Sequence, residues 1–242
     1  MSFVLRSRSC LFLIVVCLGV ANKVAAQDDA DVRNNSYHTS FQIWSGVKIN
    51  KDFKYGLSMN GQYLLRADVT NRYIKGHYLS LGLRYKILKY LYADFRFRGV
   101  NGFTENTYRF EFGLKARYKH KDWTFAYRLG YFHENEYYAR SYESGHEPVD
   151  YLRNRIEINW DFKPQWEAYL SAEAYTLLTN RYALTRKFVC IAGISYEFIK
   201  NHSFDLYYRS QPDVNQRRLD MLHAFALVYT WDIPGKFKKK KK

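Results

Sequence analysis

Beyond its first 26 residues the chain has no stretch of about 20 apolar residues, which excludes a membrane bundle of helices. Proline is scarce: four in 242 residues, none inside a proposed strand core, so the commonest interruption of a sheet ladder is missing. Of three cysteines, Cys10 and Cys17 lie within the first 26 residues, leaving Cys190 alone in the remainder and no internal disulfide to form. Cys190 falls on the apolar face of a proposed strand, where a small packed hydrophobe is the ordinary role. The sequence contains no Walker loop, dinucleotide fingerprint, zinc CxxC pair or GxSxG elbow, and so no motif that implies a cofactor.

Aromatic residues and charge are abundant instead. The chain has 23 Tyr, 17 Phe and 5 Trp, yet 25% of it is charged and its mean hydropathy is negative. The run YRFEFGLKARY at 108–118 shows how both fit. Tyr108, Phe110, Phe112, Leu114, Ala116 and Tyr118 form one face, and Arg109, Glu111, Gly113, Lys115 and Arg117 the other. Successive side chains of a strand point to opposite sides, so this period of two predicts a strand long enough to cross a bilayer when tilted, with one lipid-compatible face. The pattern recurs through the chain with little helical periodicity, the signature of an all-β, antiparallel up-and-down transmembrane β-barrel.

The first 26 residues read as an export signal. Arg6 and Arg8 supply the positive start, residues 10–20 (CLFLIVVCLGV) the apolar core, and Val24-Ala25-Ala26 a small-residue cleavage site before Gln27. Eleven apolar residues are too few to span as an anchor. Val16 before Cys17 does not fit a lipid-modification box. The expected organisation is a signal peptide at 1–26, a polar segment at 27–36, a barrel at 37–232 and a basic tail at 233–242.

Eleven strands are expected at 37–49, 53–66, 77–87, 90–99, 108–118, 123–132, 151–160, 166–176, 187–198, 203–209 and 222–232. Short turns at Asn50-Lys51-Asp52, Leu88-Lys89, 119–122, 161–165 and 200–202 alternate with longer polar loops at 67–76, 100–107, 133–150, 177–186 and 210–221, as periplasmic turns and extracellular loops do. Bacterial single-chain barrels hold an even number of strands, so twelve is favoured, with an irregular first strand in 27–36; ten, or eleven with 27–36 in the lumen, are the alternatives.

The final strand carries a candidate signal for barrel-assembly machinery. Phe225, Leu227, Tyr229 and Trp231 alternate outward, and Ala226 stands where that signal has glycine. The chain then runs on to lysines 238–242, a solvated tail or a contact for anionic headgroups.

Several segments resemble an uncharacterised outer-membrane barrel family, the domain of unknown function 2490, found mainly in Bacteroidota. They include IWSGVKINKDFKYGLSMNGQYLLR, YRFEFGLKARYKHKDWTFAYRLGY and YLRNRIEINWDF, then SAEAYTLL, IAGISYEFIKNHSFDLYYR and HAFALVYTW. The likeness runs over most of 41–231, most specifically in Tyr151-Leu152-Arg153-Asn154-Arg155 with Ser171-Ala172-Glu173. It implies a secreted barrel and no particular activity.

The inward phase collects Arg66, Arg84, Lys86, Arg96, Arg98, Arg109, Lys115, Arg117, Arg128, Arg153, Arg155 and Arg209, with the acids Asp94, Glu111, Glu157, Glu167, Glu173, Glu197 and Asp205. Enclosed charges must pair, so an interlocked network filling the interior is one reading; a narrow water-filled path whose basic excess selects small anionic solutes is the other. The net charge of +15 falls to +12 on loss of Arg6, Arg8 and Lys23. In the cytoplasm this would suggest nucleic acid; an exported chain meets outer-membrane lipid and lipopolysaccharide phosphates instead.

Catalytic constellations are thin. His38 and Ser40 share a strand face, as base and nucleophile of a lipid-modifying hydrolase would, but without an evident acidic partner. His133, Glu134, Glu136, His146 and Glu147 share the longest proposed loop, where polar residues gather by default as well as for metal. The expectation is a non-enzymatic outer-membrane barrel of a Gram-negative bacterium, structural or a narrow pore. The rivals are an acyl hydrolase acting on outer-membrane lipid and a soluble periplasmic barrel holding an apolar ligand, which would turn the aromatic stripes inward.

Overall fold

The computed structural model describes residues 38–102, 105–138, 148–178, 183–215 and 220–235. The proposed signal peptide, the segment 27–36 and the lysines 238–242 lie outside the described residues. Eleven strands follow in order: β1 His38–Asp52, β2 Leu57–Asp68, β3 Tyr73–Lys86, β4 Leu91–Gly102, β5 Glu105–His120, β6 Trp123–Tyr138, β7 Val149–Lys163, β8 Trp166–Leu178, β9 Ala183–Ile199, β10 His202–Pro212 and β11 Asp220–Ile233.

Each strand pairs antiparallel with its chain neighbours, and β1 closes the barrel by pairing parallel with β11, His38 opposite Asp220 through Lys51 opposite Ile233. Parallel closure follows from an odd count: direction reverses at every turn, so strands one and eleven run the same way. The count falls within the expected ten to twelve. Both edges of β1 are taken, by β2 and β11, so the described strands close the wall among themselves.

All eleven expected strands are present, but most are longer than the alternation suggested. The loop expected at 67–76 shrinks to residues 69–72, with Arg72 in the left-handed region at φ 56°, and within the loop expected at 100–107 β4 runs on to Gly102 and β5 begins at Glu105. β6 continues to Tyr138, well into the loop expected at 133–150. Polarity is a poor guide there, because a barrel wall keeps its backbone ladder beyond its apolar band, where its side chains become polar. The turn expected at Asn50-Lys51-Asp52 is also corrected. Those residues still pair with Asn60, Met59 and Ser58, and the chain reverses at Lys54–Gly56, where Tyr55 at φ 60° and Gly56 at φ 77° take left-handed conformations.

The two faces of the wall differ in kind. Outward positions such as Leu81, Phe112, Leu114, Ile156, Leu206 and Leu227 are exposed large hydrophobics. That arrangement is opposite to the one the soluble rival requires. Towards the end with the short hairpin turns, which we term the turn end, outward rings stack in sequence: Trp123 on Trp160 with centroids 5.4 Å apart, Trp166 on Tyr196 at 4.4 Å and Phe198 on Phe204 at 4.9 Å. Towards the opposite, loop end, Tyr63 stacks on His77, and Tyr208 and Phe41 on His223. Outward polar groups find partners within the wall, as where the Tyr127 hydroxyl donates to Asn154 Oδ1 at 2.7 Å.

Candidate functional site in the barrel interior

Residues two apart on a strand share a face, and neighbouring strands lie about 4.8 Å apart, so long inward side chains reach across two ladders. The inward phases of β3 to β8 use that reach to build one continuous chain of ion pairs. Arg84 meets Asp94 at 2.8 Å, Arg128 meets Asp94 at 3.4 Å and Glu111 at 3.1 Å, and Arg153 meets Glu111 at 2.9 Å and Glu173 at 2.7 Å. Arg155 continues to Glu173 at 3.2 Å and Glu157 at 2.8 Å, and Lys115 ends the chain on Glu157 at 3.3 Å.

Arg153 is its hub. Nε and Nη2 grip the two oxygens of Glu173 at 3.1 and 2.7 Å, while Nη1 donates to both oxygens of Glu111 at 2.9 and 3.1 Å. The Tyr175 hydroxyl adds a bond to Glu173 Oε2 at 2.7 Å. Glu111 is 1% exposed, Arg153 2% and Glu173 3%, so these charges are withdrawn from water and held by one another. Arg109 pairs with Glu134 and stacks on the Phe132 ring at 4.1 Å.

The remaining inward charges divide into two groups. Arg98 lies over the Tyr78 ring at 5.3 Å and Arg209 over Trp44 at 5.4 Å; among the described residues neither these two nor Arg96 forms an ion pair. Arg66 sits opposite Trp44 in the ladder. Arg117 shares the inward phase but is exposed near the turn end. The acids Glu167, Glu197 and Asp205 serve local structure: Asn159 donates to Glu167 at 3.1 Å, the Asn201 amide to Glu197 at 2.7 Å and Thr230 to Asp205 at 2.8 Å. At the turn end Asp122, Asp161, Glu167, Glu197 and Asp232 line a cavity of about 700 Å³.

The interior also holds apolar clusters that the strict polar-inside reading missed. Trp44, Leu64, Ala224, Ala226 and Val228 form one, with Tyr78 and Tyr207 packed against it; Phe132, Tyr175 and Val189 form another. Their phase was available in the sequence, because Phe132 lies four residues from Arg128 and Tyr175 two from Glu173.

Other candidates separate. Ser40 faces inward and donates to Asp68 at 3.2 Å, with no hydrogen bond to His38. His133 faces outward, bonded to Asp150 at 2.8 Å, whereas Glu134 faces inward on Arg109, so the strand directs this pair to opposite sides. Glu136 is described only as backbone of β6, and His146 and Glu147 lie outside the described residues. No group of three or more His, Cys, Asp or Glu suited to a metal occurs among the described residues. In the candidate insertion signal, Phe225 and Trp231 are exposed on the outer face, Tyr229 shares that face, and Ala226 is buried inside.

No protein-family model matches the chain, and no curated protein matches it.

Proposed function

We propose that the mature chain is an outer-membrane β-barrel whose interior is closed by its own ion pairs and whose role is structural. One observation carries this reading: the wall turns a band of exposed aliphatic and aromatic side chains outward, with stacked rings towards both ends, while it turns paired charges inward. That is the division a lipid exterior and an enclosed polar lumen demand. The export signal, the closing aromatics and the resemblance to an uncharacterised outer-membrane barrel family point the same way. In this setting barrel-assembly machinery inserts the chain, and outer-membrane lipid and lipopolysaccharide are its surroundings.

Fractionation of a Gram-negative host expressing the full chain tests the proposal. The expected product begins at Gln27, stays in the outer-membrane fraction through alkaline extraction and migrates faster on gels before boiling than after. A mature chain released with the soluble periplasm would sink it.

A narrow, anion-preferring pore is the second reading, favoured by Arg98 on β4 and Arg209 on β10, which form no ion pair among the described residues. The acidic cavity at the turn end works against it. Single-channel recording on the folded barrel separates the two: discrete anion-preferring openings, reduced when Arg96 and Arg98 are neutralised, mark a pore, and silence marks a closed interior.

A further inference from the structure

The ion-pair chain engages Asp94, Glu111, Glu157 and Glu173 and leaves Arg98 and Arg209 outside it. Arg96 and Arg98 lie two apart on the inward face of β4, and Arg209 projects inward from β10, towards the cluster on which Tyr78 and Tyr207 both pack. Arg98 lies over the Tyr78 ring at 5.3 Å and Arg209 over the Trp44 ring at 5.4 Å, and Tyr78 packs on the cluster that holds Trp44, which places both guanidinium groups around one region of the lumen. Arg96 itself stands directly opposite Glu111 in the β4–β5 ladder. Arg98 Nε and Arg209 Nε are buried and lack a hydrogen-bond partner.

Nearby acids are already engaged. Glu111 is held by Arg153 and Arg128, Asp68 accepts from Ser40 and Asn71, and Asp205 accepts from Thr230. Arginine cannot discharge by losing a proton, so two enclosed guanidinium groups that form no ion pair among the described residues call for an external counter-charge. Guanidinium forks match the oxygens of phosphate or carboxylate bidentately. The ring faces of Tyr78 and Trp44 hold Arg98 and Arg209 in place, so ordering the site costs little.

We propose that Arg98 and Arg209 form a binding site in the lumen for one small soluble oxyanion of the phosphate class. The barrel wall separates the site from lipid, so its ligand arrives through water rather than as a headgroup. Occupancy requires no through-going path; the site therefore stands on the barrel interior and not on the pore reading.

The test uses residues 27–242 folded in detergent micelles, with folding verified by circular dichroism and by heat-modifiable gel migration. Calorimetric titration with inorganic phosphate, in chloride buffer of constant ionic strength, is expected to give one saturable site. Arg98→Gln and Arg209→Gln are expected to weaken it at least tenfold, while Arg117→Gln, which removes the same charge at an exposed position, leaves it unchanged. Should a glutamine variant fail to fold, Arg98→Lys keeps the charge without the fork and is expected to weaken binding similarly. Phosphate is also expected to raise the unfolding temperature of the unaltered barrel above that in equal chloride. Absence of both saturable binding and a thermal shift in a verified folded barrel would overturn the site, as would equal weakening by Arg117→Gln. Because no bilayer is involved, that failure leaves the outer-membrane proposal intact, and soluble fractionation in cells would leave the anion site intact.

Discussion

Arg153 on β7 and Glu173 on β8 meet diagonally, Glu173 lying opposite Arg155 in the ladder, in a two-point contact, Nε to Oε2 and Nη2 to Oε1, with both residues almost wholly buried. Removing one partner strands the other in a medium that cannot solvate it. Glu173→Gln should therefore destabilise the barrel by about 3 to 5 kcal/mol, since Arg153 and Arg155 both lose a counter-charge. The double variant Arg153→Met with Glu173→Leu should recover part of that loss, because it also removes the guanidinium left short of a carboxylate, while Glu111 keeps Arg128 and Arg155 keeps Glu157. Reversible urea unfolding into vesicles measures both, and equal losses in the single and double variants would show that packing, not charge pairing, is what Glu173 supplies.

How far the sequence disclosed this arrangement depended on what sets each feature. Phase is local, and Arg109, Glu111, Lys115 and Arg117 declared theirs by alternation alone, so the strands and their inward residues were readable. Pairing partners depend on register between strands. Nothing within 108–118 indicates that Glu111 meets Arg153, 42 residues away, or that Arg109 meets Glu134. Glu134 read as a loop residue because it sits among polar neighbours, yet those neighbours stand on a strand that continues beyond the apolar band. Trp44 and Phe132 were masked by the assumption that aromatics face lipid; the phase of Gln42 and Arg128 decides otherwise.

A lipid-facing wall makes the cost of a charge depend on depth. Leu114 is an exposed outward residue in the middle reach of β5, and Trp231 lies near the turn end of β11. Leu114→Arg should cost about 2 to 4 kcal/mol in vesicles and Trp231→Arg about 0 to 1 kcal/mol from the charge itself. The same pair compared in detergent micelles, which relax around charge, should differ less. If the two positions cost the same in a bilayer, the outward face does not lie in lipid as proposed.

Gly193 faces inward on β9 between two tyrosines. A Cβ there would come within 2.6 Å of the Tyr169 ring and 2.7 Å of Tyr207 Cβ. Gly193→Ala should overpack the lumen and cost about 1 to 3 kcal/mol. Adding Tyr169→Phe removes the hydroxyl, itself 2.6 Å from the built Cβ, and should return part of the loss. No change in unfolding midpoint for Gly193→Ala would mean that this side of the barrel is looser than its packing indicates.

The parallel seam between β1 and β11 offers the sharpest check on how the wall closes. Ser45 lies opposite Leu227, both on the outer face, with no strand between them. Adjacent strands sit about 4.8 Å apart, within the Cα separation of about 4.4 to 6.8 Å that a disulfide spans. A strand inserted from 27–36 would double the separation and put the pair out of reach. In a Cys190→Ala background, Ser45→Cys with Leu227→Cys should therefore cross-link on oxidation of the folded barrel, detected as a species joining β1 to β11 after proteolysis between them. Moving one cysteine to Ala226, which faces the lumen, should abolish the link, because it directs the two sulfurs to opposite sides of the wall. Cross-linking by the second pair and not the first would displace the register by one residue, and linking by neither would place another segment between β1 and β11.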